Sequence, residues 1–92
     1  MGREDRVRRI LRLLVETECA LPAVAVFRNA KIRGADFERR SVDNYLRDLH
    51  DRGHVRKVDP TALDSGEVVE IPLDEEGWFI ATGEGRDALS TE

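Results

Sequence analysis

Apolar residues recur at helical spacing in three stretches of the chain, and polar residues fill the positions between them. The stretches run from Glu4 to Glu18, from Pro22 to Arg33 and from Glu38 to Arg52. A repeat near 3.6 residues is typical of helices that bury one face. Gly34 and Gly53 follow the second and third stretches, where glycine commonly ends a helix in left-handed conformation. The sequence therefore predicts three helices joined by short turns.

After Gly53 the pattern changes to the alternation of β-strands. Strands are predicted over residues 54–59, 68–73 and 78–82, with the acidic turn "DEEG" before the last one. Thr82 is placed to cap a short final helix, "GEGRDAL". The prediction is an α+β fold: a three-helix core, a β-hairpin wing with a long acidic tip, and a short C-terminal helix. This order is that of a winged helix-turn-helix.

Length and composition limit the classes of protein that fit. A chain of 92 residues fits one small domain, residues 1–92, without room for a large enclosed active site. The single cysteine excludes an intramolecular disulfide and a cysteine-based zinc cluster. Charged residues interrupt every apolar run near the start, so neither a signal peptide nor a membrane span is expected. We expect a soluble cytoplasmic protein without membrane contact.

The charge is divided unevenly along the chain. Residues 1–58 contain fourteen arginines and lysines and nine acids, a net charge of +5; residues 59–92 contain one arginine and ten acids, a net charge of −9. Such asymmetry indicates nucleic-acid contact or an acidic region. Thirteen arginines stand against two lysines and nineteen acids. Abundant acids with scarce lysine favour a halophilic source, because they keep a protein hydrated in concentrated salt.

Several motifs, taken in order, resemble the haloarchaeal phage-repressor-like winged-helix proteins. The motifs are Leu21 with Pro22, Phe27 with Asn29, Gly34, Arg40 through Leu49, Gly53 through Asp59, Trp78 with Phe79, and Thr82 through Leu89. The resemblance implies a sequence-specific, repressor-like transcriptional regulator that binds duplex DNA, with the third helix in the major groove and often as a dimer. Two features depart from the pattern: the third helix carries three aspartates, and residues 59–85 contain eight acids and no base.

The third helix carries the main candidate residues for base contact. With Val42, Leu46 and Leu49 on the core face, a helical wheel gathers polar residues on the opposite face. These are Arg40, Asn44, Arg47 and Asp51, flanked by Arg39 and Asp43. Arginine bonds guanine and asparagine bonds adenine in bidentate fashion in the major groove. The alternative interpretation is a solvated helix face with surface ion pairs such as Asp43–Arg47 or Asp48–Arg52.

Four further basic residues flank this helix: Lys31, Arg33, Arg56 and Lys57. In a winged-helix arrangement such positions contact phosphates and set the register of the protein on DNA. Solubilising surface charge explains each of them equally well. The aromatic residues Phe27, Tyr45, Trp78 and Phe79 could stack on bases, but in so small a domain they are expected in the core.

Other functions have weaker support in the sequence. It contains no phosphate-binding glycine loop and no nucleophile with an evident base, so no enzyme, cofactor, metal site or small-molecule substrate is predicted. The expected partners are double-stranded DNA and a second copy of the chain in a homodimer. The alternative function is a winged-helix protein-interaction module that presents its acidic hairpin to a basic partner.

Overall fold

The computed structural model describes residues 2–91, which form a mixed α+β fold. Its elements are α1 (Arg3–Thr17), α2 (Ala23–Ile32), α3 (Arg39–Asp51), β1 (Val55–Val58), α4 (Pro60–Leu63), β2 (Trp78–Ala81) and α5 (Gly83–Ser90). The three predicted helices are confirmed, with ends one residue inside or outside the expected bounds. None of the helices in residues 2–91 combines the length and apolar composition needed to cross a membrane.

Glycines end α2 and α3 in the predicted way. Gly34 has φ +90° and Gly53 has φ +78°, a region that side chains with a Cβ rarely adopt. After α3, the N–H of His54 bonds the carbonyl of Leu49 at 2.9 Å, and the N–H of Gly53 bonds that of His50 at 3.0 Å. This pair of bonds is a Schellman motif, which satisfies carbonyls that the helix leaves free. The chain therefore turns sharply from α3 into β1.

The buried faces of the three long helices and the hairpin form one hydrophobic core. The fully buried side chains of α1, α2 and α3 are mainly leucine, isoleucine and valine, among them Ile10, Val26 and Leu46. The rings of Phe37 and Tyr45 meet edge to face, with centroids 5.6 Å apart and planes at 83°. Because the apolar positions of α3 are all buried, its opposite face is left to solvent.

The hairpin pairs β1 with β2 in antiparallel register, from Val55 opposite Ala81 to Val58 opposite Trp78. Residues 59–77 connect the two strands. The strand predicted over residues 68–73 is wrong: only Glu70 pairs with β1, in an isolated bridge to Val58. Pro72 lacks an N–H for a longer ladder. The start of this segment is not covered by other elements, since Val68 is 50% exposed and Val69 43% exposed.

A short helix that the sequence interpretation missed, α4, opens the connection. The side chain of Asp59 accepts a hydrogen bond from the backbone N–H of Thr61 at 3.0 Å, and Pro60 occupies the first helical position. Aspartate as N-cap followed by proline is a recognised helix start. The tripeptide "DPT" therefore contained the signal, although a single helical turn has little periodicity of its own.

The predicted cap of the final helix is confirmed. The Oγ1 atom of Thr82 accepts from the N–H of Gly85 at 3.0 Å and donates to the carbonyl of Gly53 at 2.7 Å. Gly85 packs against the backbone, and a Cβ at this position would lie 2.3 Å from the carbonyl oxygen of His54. Only glycine permits so close an approach. This contact fixes α5 against the start of β1.

Candidate functional site

Three polar residues of α3 form an exposed row, which we call the recognition stripe: Arg40, Asn44 and Arg47. They lie on the helix face opposite the buried residues Val42 and Leu46. The buried face holds the helix against the core, so the backbone under the stripe is rigid. The structure therefore brings together the stripe residues that the sequence predicted.

The stripe residues have free hydrogen-bonding groups. Within residues 2–91, Arg40, Asn44 and Arg47 form no side-chain hydrogen bond or ion pair. Arg39, which flanks the stripe, is half-buried and donates a hydrogen bond to Asp43 one turn further on. Asp43 thus pairs with Arg39 rather than with Arg47, the partner that the alternative interpretation expected. Arg47 keeps all its donors for another molecule.

A second group of charges, at the far end of α3, is paired within the protein. Arg52 donates two hydrogen bonds of 2.7 Å to the carboxylate of Glu4 and two, of 3.0 and 3.2 Å, to that of Asp48. Arg3 also bonds Asp48, at 3.3 Å. We call these four residues the α1–α3 ion-pair network. The expected Asp48–Arg52 pair is confirmed, but its links to α1 were not foreseen.

The network changes the acid–base behaviour of its members. Hydrogen bonding to Arg52 lowers the pKa of Glu4 below its ordinary value of 4.5, against a smaller opposing effect of desolvation. The same contact raises the pKa of the Arg52 guanidinium. Each charged form is favoured by its partner. These charges link α1 to α3. They lie at the surface, where an ion pair contributes little to the free energy of unfolding.

Beside the stripe, a groove of about 550 Å³ opens between the start of α2, the side of α3 and the end of the hairpin where its strands meet the connecting residues 59–77. Its lining includes the cations Arg39, Arg47 and Lys57, the acids Asp43 and Glu76, and the aromatic side chain of Trp78. Two of the cations come from α3 and one from β1, so the groove exists only in the folded chain. It is continuous with the stripe through Arg47.

Trp78 departs from the prediction that Phe27, Tyr45, Trp78 and Phe79 all lie in the core. Tyr45 and Phe79 are buried, at 4% and 6% exposure, and Phe27 is half-buried, but Trp78 is 38% exposed. Side chains alternate along a strand, so an inward Phe79 sends its neighbour outward. The alternation in "WFIA" therefore contained a signal that Trp78 faces away from the core.

The four flanking basic residues occupy different surroundings. Lys57 donates from Nζ to the carbonyl of Leu73 at 2.8 Å and lines the groove with Arg39 and Arg47. Arg33 is paired with Glu16 at 2.6 Å and lies away from the groove. Lys31 is exposed near the ring of Phe27, 5.6 Å from its centroid. Arg56 is exposed and, because successive side chains of a strand point to opposite faces, it lies on the face opposite Lys57. Only Lys57 is therefore brought beside the residues of α3.

No protein-family model, curated protein or solved structure matches this chain. Among residues 2–91, no group of three or more His, Cys, Asp or Glu side chains is arranged to hold a metal ion. The site is therefore a row of one exposed amide and two exposed guanidinium groups on a packed helix, beside a groove lined by three cations, two acids and a tryptophan. Such groups bond the acceptors of nucleic-acid bases and phosphates.

Proposed function

We propose that the chain is a winged helix-turn-helix protein that binds duplex DNA in a sequence-specific manner, as a repressor-like transcriptional regulator. In this proposal α2 and α3 are the helix-turn-helix, α3 enters the major groove, and the hairpin is the wing. The observation that carries it is the exposed recognition stripe, whose donors have no partner within residues 2–91, on a helix fixed by its buried face.

The chemistry of the stripe suits base-edge contact. A guanidinium group donates two parallel hydrogen bonds to the O6 and N7 atoms of guanine, and an asparagine amide matches the N6 and N7 atoms of adenine. Arg40 and Asn44 are four residues apart, and side chains at this spacing are neighbours on one face of a helix. A target site containing guanine and adenine in adjacent or nearby pairs is therefore expected.

A homodimer belongs to the same proposal. One small domain contacts few base pairs, and two symmetric copies double the readout on a site with two half-sites. We expect binding to a palindromic site with the half-site spacing set by the dimer.

The direct test is fluorescence anisotropy with duplexes selected from a random pool in molar salt. Wild-type protein is expected to enrich a defined sequence, and the double variant Arg40→Ala, Asn44→Ala is expected to lose most affinity for it. Arg86→Ala removes an exposed arginine from the acidic half of the chain and is the matched control. If no duplex is bound at any salt concentration, or if the double variant binds as well as wild type, the proposal is refuted.

The acidic connection supports a second candidate, a protein-interaction module for a basic partner. Residues 64–70 are all exposed, and they combine two apolar side chains, Val68 and Val69, with the acids Asp64, Glu67 and Glu70. An exposed apolar pair among acids is typical of a protein-contact surface. This candidate predicts that Val68→Asp abolishes a protein contact while the stripe variants leave that contact intact.

A further inference from the structure

The groove beside α3 has a composition that the recognition stripe alone does not explain. We propose that one phosphodiester strand of the bound duplex lies in this groove, with its sugars packed against Trp78. The inference rests on the proposed DNA binding and extends it, because it assigns a binding residue outside the helix-turn-helix and places the duplex against the hairpin where its strands meet the connection.

The position of the groove follows from the position of the stripe. A helix inserted in the major groove, about 12 Å wide, has one DNA backbone on each side. Arg47 belongs to the stripe and also lines the groove, whose far wall is the hairpin. A duplex seated on the stripe therefore brings one of its two backbones to the mouth of the groove.

The cations of the groove favour a phosphodiester strand. Arg39, Arg47 and Lys57 line it from two directions, against the two acids Asp43 and Glu76. Arg47 has no internal partner, and Lys57 uses one of its three ammonium donors on the carbonyl of Leu73. Both cations thus retain donors for phosphate oxygens. Contacts of this kind position a protein on DNA without reading its sequence.

The exposed tryptophan supplies the apolar side of the site. The indole of Trp78 is 38% exposed, and its N–H makes no hydrogen bond within residues 2–91. Tryptophan combines a flat apolar face with one polar group, a combination enriched where a side chain meets a partner. A deoxyribose between phosphates matches that combination, since the sugar contacts the ring face and a phosphate accepts from the N–H.

The acids of the hairpin connection limit where the strand can lie in the groove. Glu76 lines the groove, and Asp74 and Glu75 are exposed next to it on the segment that connects the two strands. Carboxylates repel phosphates, so a strand in contact with the connection is electrostatically unfavourable. The cations Arg39, Arg47 and Lys57 line the groove from α3 and β1. The strand is therefore expected on the α3 and β1 side of the groove, away from these acids.

The test uses Trp78 as an internal reporter, because it is the only tryptophan of the chain. Unlabelled duplex carrying the selected site is added to the full chain while tryptophan emission and its quenching by acrylamide are measured. Anisotropy of a labelled duplex reports binding independently. We expect emission to change in parallel with anisotropy and acrylamide quenching to fall on saturation.

Two substitutions at this position extend the measurement. Trp78→Ala is expected to weaken duplex binding about tenfold, in line with the loss of one aromatic contact to nucleic acid, and Trp78→Phe about threefold or less, because the ring face remains. Val68→Ala removes an exposed apolar group outside the groove and is expected to bind as wild type. Circular dichroism confirms that each variant is folded; if Trp78→Ala is not, the wild-type emission and Trp78→Phe decide.

The outcomes separate the inference from the function on which it rests. Absence of any anisotropy change with wild type refutes DNA binding itself. Duplex binding by anisotropy, with unchanged Trp78 emission and unchanged acrylamide quenching, overturns the groove assignment and leaves the recognition stripe standing. Parallel changes in both signals, with weaker binding by Trp78→Ala, support the assignment.

Discussion

Arg47 lies within α3 and Arg52 directly follows its last residue, yet the surroundings of the two arginines are opposite. Arg52 donates four hydrogen bonds of 2.7 to 3.2 Å to Glu4 and Asp48. Arg47 is exposed and has no partner within residues 2–91. The arginine-rich half of the chain thus contains one set of cations that is neutralised internally and another that is available to a ligand. A count of basic residues does not separate the two sets.

The difference has a physical cause. α1 crosses α3 near its end and carries acids in its first turn, where they meet Arg52. The stripe begins at the other end of α3 with Arg40, and although Asn44 and Arg47 line a shallow pocket with Arg3 and Asp48, neither of them pairs with these charges. Charges that are already paired attract phosphates weakly, because each cation has an anion beside it. DNA affinity is therefore expected to depend on the stripe and stability on the α1–α3 ion-pair network.

The largest expected effect separates the two regions by DNA affinity. Arg47→Ala is expected to weaken binding of the selected duplex by about 1–3 kcal/mol, the usual cost of losing a base-contacting arginine. Its midpoint of urea unfolding is expected to stay at the wild-type value, because Arg47 has no internal contact to lose. Anisotropy titration and urea denaturation measure the two quantities. Equal losses in Arg47→Ala and Arg52→Ala variants contradict the division.

For the α1–α3 ion-pair network a smaller effect is expected, on the stability of the fold and not on DNA affinity. Arg52→Ala is expected to lower the free energy of unfolding by about 1 kcal/mol or less, the range of exposed ion pairs. Its affinity for DNA is expected to change by less than about twofold when measured where the protein is fully folded. Urea denaturation at neutral pH measures the loss, with Arg86→Ala as the matched control. A stable Arg52→Ala variant with weak DNA binding reverses the assignment of roles.

The pH dependence of stability sharpens the same point. Because Arg52 lowers the pKa of Glu4 in the folded state, the pair stabilises the protein above the ordinary pKa of 4.5. This contribution is lost as the pH falls through the lowered pKa, since the protonated carboxyl gives up its charge. Glu4→Gln is expected to flatten the acid side of the stability profile, with less than wild-type stability at neutral pH. Urea midpoints from neutral to acidic pH measure it; a parallel shift at every pH contradicts this account.

The smallest effect concerns the salt dependence of binding. Counterion release weakens as salt rises, so affinity in concentrated salt depends more on base contacts and shape. With few unpaired cations near the stripe, we expect a shallow slope of log affinity against log salt for wild type. Lys57→Ala is expected to reduce this slope by about one unit, the effect of one lost phosphate contact. A steep wild-type slope contradicts the division between paired and available cations.

The sequence predicted the local features of the site well. The helical repeat placed Val42, Leu46 and Leu49 inside, and all three are buried. The same repeat placed the recognition stripe outside, where it lies. Residues within one helix are fixed relative to each other by helical geometry, so their faces follow from spacing alone. The glycine-terminated ends of α2 and α3 were predictable for the same local reason.

The sequence did not predict features that join distant segments. Glu4 and Arg52 are 48 positions apart, and Arg33 pairs with Glu16 from another helix. No local spacing relates such residues. The strand expected over residues 68–73 was wrong because strand formation depends on pairing along several residues, and this segment pairs with β1 only in the bridge at Glu70.

Taken by itself, the sequence determined the three helices, the face that each buries, the two hairpin strands next to glycine turns, and the division into a basic and an acidic half. Short-range periodicity and turn chemistry are properties of neighbouring residues. Only the tertiary structure decided which arginines are neutralised, that Lys57 and Trp78 meet Arg47 at one groove, and that Glu76 of the acidic connection lines the same groove. Those outcomes depend on how helices and hairpin pack, because partners in space are chosen by the fold and not by position in the chain.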